Sequence, residues 1–81
     1  MSITVRFYGP YRDAAGADAV ELKAAGLKTV ADVLQALAKR YPKMGPHLAS
    51  ANIALNHMSS DPMSPVKSGD TLALFPFVAG G

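Results

Sequence analysis

The residues with the clearest chemical potential stand at the end of the sequence, where Gly80 and Gly81 follow Phe77-Val-Ala. Glycine has no Cβ to obstruct a narrow channel, so a Gly-Gly end can thread into the active site of another protein and present its carboxylate there. A free carboxylate is a poor electrophile. Chemistry at Gly81 therefore requires activation, for which adenylation by a separate ATP-using enzyme is the simplest route. The sequence predicts a protein that acts together with a partner.

Other catalytic constellations are missing from the sequence. There is no cysteine, and the two histidines, His47 and His57, have no neighbouring ligands with metal-site spacing. No pair of carboxylates stands out for acid–base work, and Gly9, Gly16 and Gly26 are too widely spaced for a phosphate-binding loop. We therefore expect no metal, no bound cofactor and no enzyme activity of the chain on its own, with ATP used by the activating partner.

Composition favours one small folded domain over residues 1–81. Apolar residues make up 49% of the 81 residues and charged residues 17%, which is too apolar for a disordered chain. The net charge of +2 comes from scattered basic residues, so we expect no nucleic-acid partner. The longest apolar run, from Leu72 to Ala79, is too short for a membrane span, and the lack of cysteine suits a reducing compartment. The expectation is a cytoplasmic protein that needs no membrane.

Alternation of apolar and polar residues predicts four strands. Each alternates for a few residues, as in a strand with one buried face, and is bounded by turn-forming residues. The predicted strands cover residues 3–7, 18–23, 53–56 and 71–75. Residues 9–16, 43–50 and 57–68 are predicted as loops, with at most one helical turn in 43–50 and a short strand or turn in 57–68.

One amphipathic helix is predicted between the second and third strands. Thr29 and Asp32 form a Thr-x-x-Asp variant of the capping box, and Pro42 ends the helix. An apolar stripe follows from Val30 to Tyr41 with helical spacing. The element order predicts an α+β, ubiquitin-like β-grasp, with a mixed sheet of four to five strands, one main helix on one face, and the first and last strands as parallel central neighbours.

Two aromatic residues are out of phase with the buried positions of their strands. Tyr8 follows Ile3, Val5 and Phe7, and Phe75 follows Leu72 and Leu74. In a β-grasp, both aromatic side chains then lie on the sheet face away from the helix, on adjacent strands.

Because exposed apolar patches mark interfaces, this face is predicted to dock a partner and to steer the segment 77–81, a flexible tail, into it.

Several segments together resemble the MoaD family, the small sulfur-carrying subunit of molybdopterin synthase. They are Val5-Arg-Phe-Tyr-Gly-Pro-Tyr-Arg12, Ile53-Ala-Leu-Asn56, Gly69-Asp70 and Phe75-Pro-Phe-Val78-Ala-Gly-Gly81. The resemblance implies that Gly81 is adenylated, converted to a thiocarboxylate, and donates sulfur to cyclic pyranopterin monophosphate. The implied partners are a MoaE-like large subunit, in a heterotetramer, and an E1-like, MoeB-like adenylyltransferase.

The resemblance also implies a set of site residues. Gly81 carries the sulfur, and Gly80 provides clearance in the channel. The predicted partner-binding residues are Tyr8, Arg12, Met58, Phe75, Phe77 and Val78. The sequence departs from the family in having Phe77 where a second proline is usual, and in the Ser- and Pro-rich segment 57–64, where only Met58 or Met63 can supply apolar contact.

Three alternatives remain open from the sequence. A ThiS-like carrier for thiazole synthesis also ends in Gly-Gly. A ubiquitin-like modifier would join Gly81 to a target lysine through an isopeptide bond, and it starts from the same acyl-adenylate. The third alternative is a binding module with an inert tail.

Overall fold

Five strands form one mixed sheet in a computed structural model, which describes residues 1–76. The strands are β1 (Ser2–Phe7), β2 (Ala19–Lys23), β3 (Ala51–Leu55), β4 (Met58–Ser60) and β5 (Thr71–Pro76). Their order across the sheet is β2-β1-β5-β3-β4, with β1 and β5 parallel at the centre and the other neighbours antiparallel. The arrangement is the predicted β-grasp.

The inner face of the sheet carries the apolar residues of each alternating run. In the central pair, Val5 lies opposite Leu72 and Phe7 opposite Leu74. These side chains are buried, together with Ile3, Leu22 and Ile53. Burying apolar surface of this kind is the main favourable contribution to folding. The predicted inward set of the first and last strands is confirmed.

Helix α2 (Val30–Arg40) begins at the predicted capping box. The Thr29 Oγ1 accepts from the Asp32 backbone N–H at 3.4 Å, and the Asp32 carboxylate accepts from the N–H of Lys28 at 2.9 Å and of Thr29 at 3.1 Å. These backbone hydrogen bonds lower the pKa of Asp32 below its ordinary range. Val30, Val33 and Leu37 are buried against the sheet, as the apolar stripe predicts.

The prediction of a loop over residues 9–16 is wrong, because the segment contains helix α1 (Pro10–Ala15). Pro10 stands at the first turn, where its fixed φ suits a helix, and Gly16 ends the helix with a left-handed φ of 71°. Tyr11 holds α1 in place: its ring is buried, and its hydroxyl donates to the His47 carbonyl at 2.9 Å. The tertiary contacts of Tyr11 thus stabilise a helix in this short segment.

Residues 42–48 are also more helical than the predicted loop. A 3₁₀ turn spans Pro42–Met44, and α3 spans Gly45–Leu48, with Met44 fully buried. The predicted end of α2 at Pro42 is confirmed, since its last residue is Arg40. None of the helices within residues 1–76 has the length and apolar character needed to cross a bilayer.

A tight hairpin joins β3 to β4. Its two turn residues, Asn56 and His57, have φ values of 51° and 73°, as in the two-residue turns that match strand twist. Asn56 also binds the start of β5: its Nδ2 donates to Asp70 Oδ1, and its Oδ1 accepts from the Thr71 N–H, each at 2.9 Å. The hairpin is therefore tied to the buried Asp70, directly before the central strand β5.

Candidate functional site

The two out-of-phase aromatic residues lie side by side at one end of the central strands. The Tyr8 N–H donates to the Leu74 carbonyl at 3.0 Å, which continues the β1–β5 ladder past Phe7 and brings Tyr8 level with Phe75. Tyr8 is 45% exposed and Phe75 37% exposed. Neighbouring Phe7 and Leu74 face the core, so the aromatic pair faces away from α2. Their predicted placement agrees with the structure, and their partner-binding role stays a prediction.

A shallow groove lies on the same outer face. It encloses about 350 Å³ and is lined by Arg6, Tyr8, Ala54, Asn56, His57, Thr71 and Ala73. Its floor consists of the cross-strand pair Ala54 and Ala73, whose small methyl side chains rise less above the sheet than the neighbouring side chains. Its sides are the larger side chains of the neighbouring strand and turn. We refer to these seven residues as the Arg6 groove.

Arg12 lies near the aromatic pair, on α1. A second, smaller hollow brings it together with Arg6 and Tyr8. Its Nε is 2.7 Å from Asp18 Oδ1, and both side chains are largely exposed, at 63% and 75%. Exposed ion pairs contribute little to stability, so this one orients Arg12 more than it stabilises the domain.

Met58 is not brought together with the aromatic pair. It is 73% exposed, but it lies directly opposite Leu55, which has the same phase as the buried Ile53. Residues opposite each other in an antiparallel ladder share a face. Met58 therefore stands on the helix side of the sheet, at its β4 edge, while Ser59 opposite Ala54 takes the outer face. Its partner-binding role stays a prediction without support from this placement.

The predicted tail residues Phe77, Val78, Gly80 and Gly81 lie outside the described residues, as does the predicted flexible tail 77–81. The last described residue, Pro76, ends β5. A Cβ added to Gly9 would lie 3.1 Å from Pro76 Cγ, so the glycine makes room for the proline ring. Gly9 also has a φ of 59°, which side chains rarely allow.

No metal centre is formed by the described part of the chain. Within residues 1–76, no group of three His, Cys, Asp or Glu side chains is placed to hold a metal ion. His47 instead packs edge-on to Tyr11, with ring centroids 6.3 Å apart, and His57 lines the groove.

Comparison with known families identifies the relationship. The model of the ThiS family matches residues 5–81, which is nearly the whole chain. The chain belongs to the ThiS family. The match and the fold together confirm the resemblance to ThiS- and MoaD-like proteins, and they give this chain the ubiquitin-related fold of sulfur carriers. No curated protein matches the chain.

Solved structures similar to this ThiS-family chain include proteins described in different ways. SAMP1 from Haloferax volcanii is 27% identical with a TM-score of 0.86, and the alignment covers 100% of both chains. A chain from the complex of subunits 1 and 2 of molybdopterin-converting factor from Helicobacter pylori is 29% identical over 100% of both chains, with a TM-score of 0.70. A chain of the BexX/CysO complex from Amycolatopsis orientalis is 26% identical over 98% of this chain and 99% of that chain, with a TM-score of 0.79.

Residue-level reasoning from the sequence missed the Arg6 groove. Alternation in β1 already placed Arg6 on the same face as Tyr8. The floor and the far side of the groove come from β3, β5 and the turn at His57, whose pairing register only the folded chain reveals. A positively charged residue in phase with an outward tyrosine was the available signal.

Proposed function

We propose that this chain is the sulfur-carrier subunit of a molybdopterin synthase. The observation that carries the proposal is the full-length similarity of this ThiS-family chain to a component of the molybdopterin-converting factor complex from Helicobacter pylori. The proposal gives the chain no catalytic cycle of its own. It acts as the sulfur donor inside a two-subunit sulfurtransferase, in the cytoplasm.

The proposed chemistry takes place at Gly81. A carboxylate oxygen attacks the α-phosphorus of ATP and displaces pyrophosphate, giving an acyl-adenylate. A sulfide-level sulfur nucleophile then displaces AMP, which leaves a thiocarboxylate. ATP is held by an E1-like, MoeB-like adenylyltransferase, and the chain itself needs no cofactor. Gly80 gives the clearance that lets the end enter the partner's active site.

The described residues support a docking role that would bring this end to its partner. Tyr8 and Phe75 present two partly exposed rings at the end of β5 from which residues 77–81 continue. Tyrosine is a frequent binding hot spot, and phenylalanine is enriched at protein interfaces. We propose that they contact the MoaE-like large subunit in a heterotetramer, with Arg12, Met58, Phe77 and Val78 as further partner-binding residues.

Two other functions compete with this one. The similarity to SAMP1, whose alignment covers all of both chains, favours a ubiquitin-like modifier that forms an isopeptide bond through Gly81. The family match itself favours a ThiS-like carrier for thiazole synthesis. All three share the acyl-adenylate. The modifier passes the activated carbonyl to a lysine amine, whereas the two carriers form the same thiocarboxylate and differ in the molecule that receives the sulfur.

Intact-mass measurement of the protein from its native cells tests the proposal. A carrier shows a mass increase equal to the difference between sulfur and oxygen, whereas a modifier appears as heavy conjugates. Deleting Gly81, or adding one residue after it, should abolish sulfur transfer to cyclic pyranopterin monophosphate in a reconstituted synthase. The melting temperature should stay unchanged, because Gly81 has no side chain to bury and the domain already has a buried core within residues 1–76. Sulfur transfer by either variant would overturn the proposal.

A further inference from the structure

Arg6 is an exposed cation held at the side of the groove. Its Nε donates to the Tyr8 hydroxyl at 3.2 Å, so the tyrosine orients the guanidinium, and neither terminal nitrogen makes a hydrogen bond to a residue between 1 and 76. Within residues 1–76 Arg6 forms no ion pair, and Asp18, the carboxylate that lines the second hollow together with Arg6, is paired with Arg12. The groove thus offers a positioned guanidinium that forms no ion pair with a described residue.

Two other polar groups of the groove, the Asn56 amide and the Thr71 backbone, are already engaged. The Asn56 amide bonds to Asp70 and to the Thr71 N–H, and the Asn56 N–H donates to the Thr71 carbonyl at 2.8 Å. The floor of Ala54 and Ala73 is apolar and offers no hydrogen bond from its side chains. An occupant therefore finds a small apolar floor with one cationic side.

We propose that the Arg6 groove binds an acidic segment of the partner protein, with an Asp or Glu carboxylate on Arg6 and an adjacent apolar side chain on Ala54 and Ala73. A guanidinium binds a carboxylate through two parallel hydrogen bonds, which a point charge cannot do. The inference deepens the proposed function and rests on it for the premise that a partner protein covers this face. It makes Arg6 a residue that selects the partner.

Charge favours a protein segment over a nucleic acid here. Binding to a phosphate backbone depends on several cations that track successive phosphates. Among the seven groove residues, all of which lie within residues 1–76, Arg6 is the only Lys or Arg. One cation beside an apolar floor matches a side-chain carboxylate with an apolar neighbour.

Selection from a library of displayed random peptides tests the proposal without a known partner. The baits are the unactivated full chain, Arg6→Gln, Arg6→Lys and the control Lys23→Gln. Lys23 pairs with Ser2 at the far end of the β1–β2 ladder and is exposed, so its substitution removes the same charge from the same sheet outside the groove. Amide spectra of each bait confirm that it is folded.

The full chain and Lys23→Gln should enrich peptides with Asp or Glu next to an apolar residue. Those peptides should bind Arg6→Gln at least about tenfold more weakly, as expected for loss of a charged hydrogen-bonded pair, with Arg6→Lys in between. They should shift the amide resonances of Ala54 and Ala73.

Three results would each overturn the groove assignment: no enrichment of acidic peptides, equal binding to Arg6→Gln, or shifts confined to another surface. The thiocarboxylate measurement on Gly81 is independent of this selection. A normal thiocarboxylate with a negative selection refutes the groove proposal and leaves the sulfur-carrier proposal intact. A positive selection without a thiocarboxylate refutes the sulfur-carrier proposal and leaves the groove as a binding site for acidic peptides.

Discussion

Truncation of Phe75 measures how much the outer face contributes to partner binding. A phenylalanine side chain has on the order of 200 Å² of surface. The 37% that is exposed therefore leaves about 75 Å² for a partner to cover. At about 25 cal/mol per Å², covering that area is worth about 2 kcal/mol, or about 25-fold in affinity. Phe75→Ala should weaken binding to the large synthase subunit by about this factor.

The same substitution also removes contacts inside the domain. The covered remainder of the ring predicts a loss of about 2–3 kcal/mol in the free energy of unfolding. Leu74→Ala is the matched control, since Leu74 is fully buried on the other face. It should lose about 2–5 kcal/mol of stability, while its folded fraction binds normally. Calorimetric titration and denaturant unfolding separate the two effects. Wild-type affinity of folded Phe75→Ala would show that the partner does not cover this face.

Three further substitutions test the framework around the site by denaturant unfolding. Asn56→Ala should lower the free energy of unfolding by about 2–4 kcal/mol, because it removes the hydrogen bonds to Oδ1 of the buried Asp70 and from the Thr71 N–H and places alanine at a φ of 51°; a loss below about 1 kcal/mol would show that water replaces the amide. Burial raises the pKa of Tyr11 above its ordinary 10.0, so the stabilisation from its neutral hydroxyl is complete below pH 10 and is lost as the pH rises through the raised pKa. Tyr11→Phe should cost about 1 kcal/mol at neutral pH and remove that alkaline loss, and an unchanged alkaline profile would assign it to other groups. Gly9→Ala should destabilise the domain by about 1–3 kcal/mol, and more than Gly16→Ala, because Gly9 has a ψ of −131°, outside the left-handed region that Gly16 occupies, and because the added Cβ would meet the ring of Pro76; equal effects would dismiss both causes.

Local patterns in the sequence were sufficient for the sheet and the main helix. Alternation from Ile3 to Phe7 and the Thr29 capping box depend only on neighbouring residues, and both are confirmed. Helix α1 was missed because six residues carry too little periodicity, although Pro10 at its start and Gly16 at its end were readable signals. Its stability comes from the burial of Tyr11, a contact distant in sequence.

The candidate site was predictable only where it depends on one strand at a time. Phase alone placed Tyr8 and Phe75 on the outer face. The position of Met58 depends on the length of the turn before it: two turn residues put Met58 opposite Leu55, and one residue more would have reversed its face. The groove required the register of β3 against β5, which no local pattern specifies.

The parallel pairing of β1 with β5 ties residues 4–7 to residues 71–74. A contact between segments so far apart in sequence closes only after nearly all of the described chain has been synthesised, and it makes folding slower than for a protein with local contacts. Tyr8 comes from the first of these segments and Phe75 from the second, so neither an unfolded nor a nascent chain displays the two rings together. A partner that recognises both rings thereby distinguishes folded molecules from unfolded or incomplete ones, and it does not bind a chain that ends before β5.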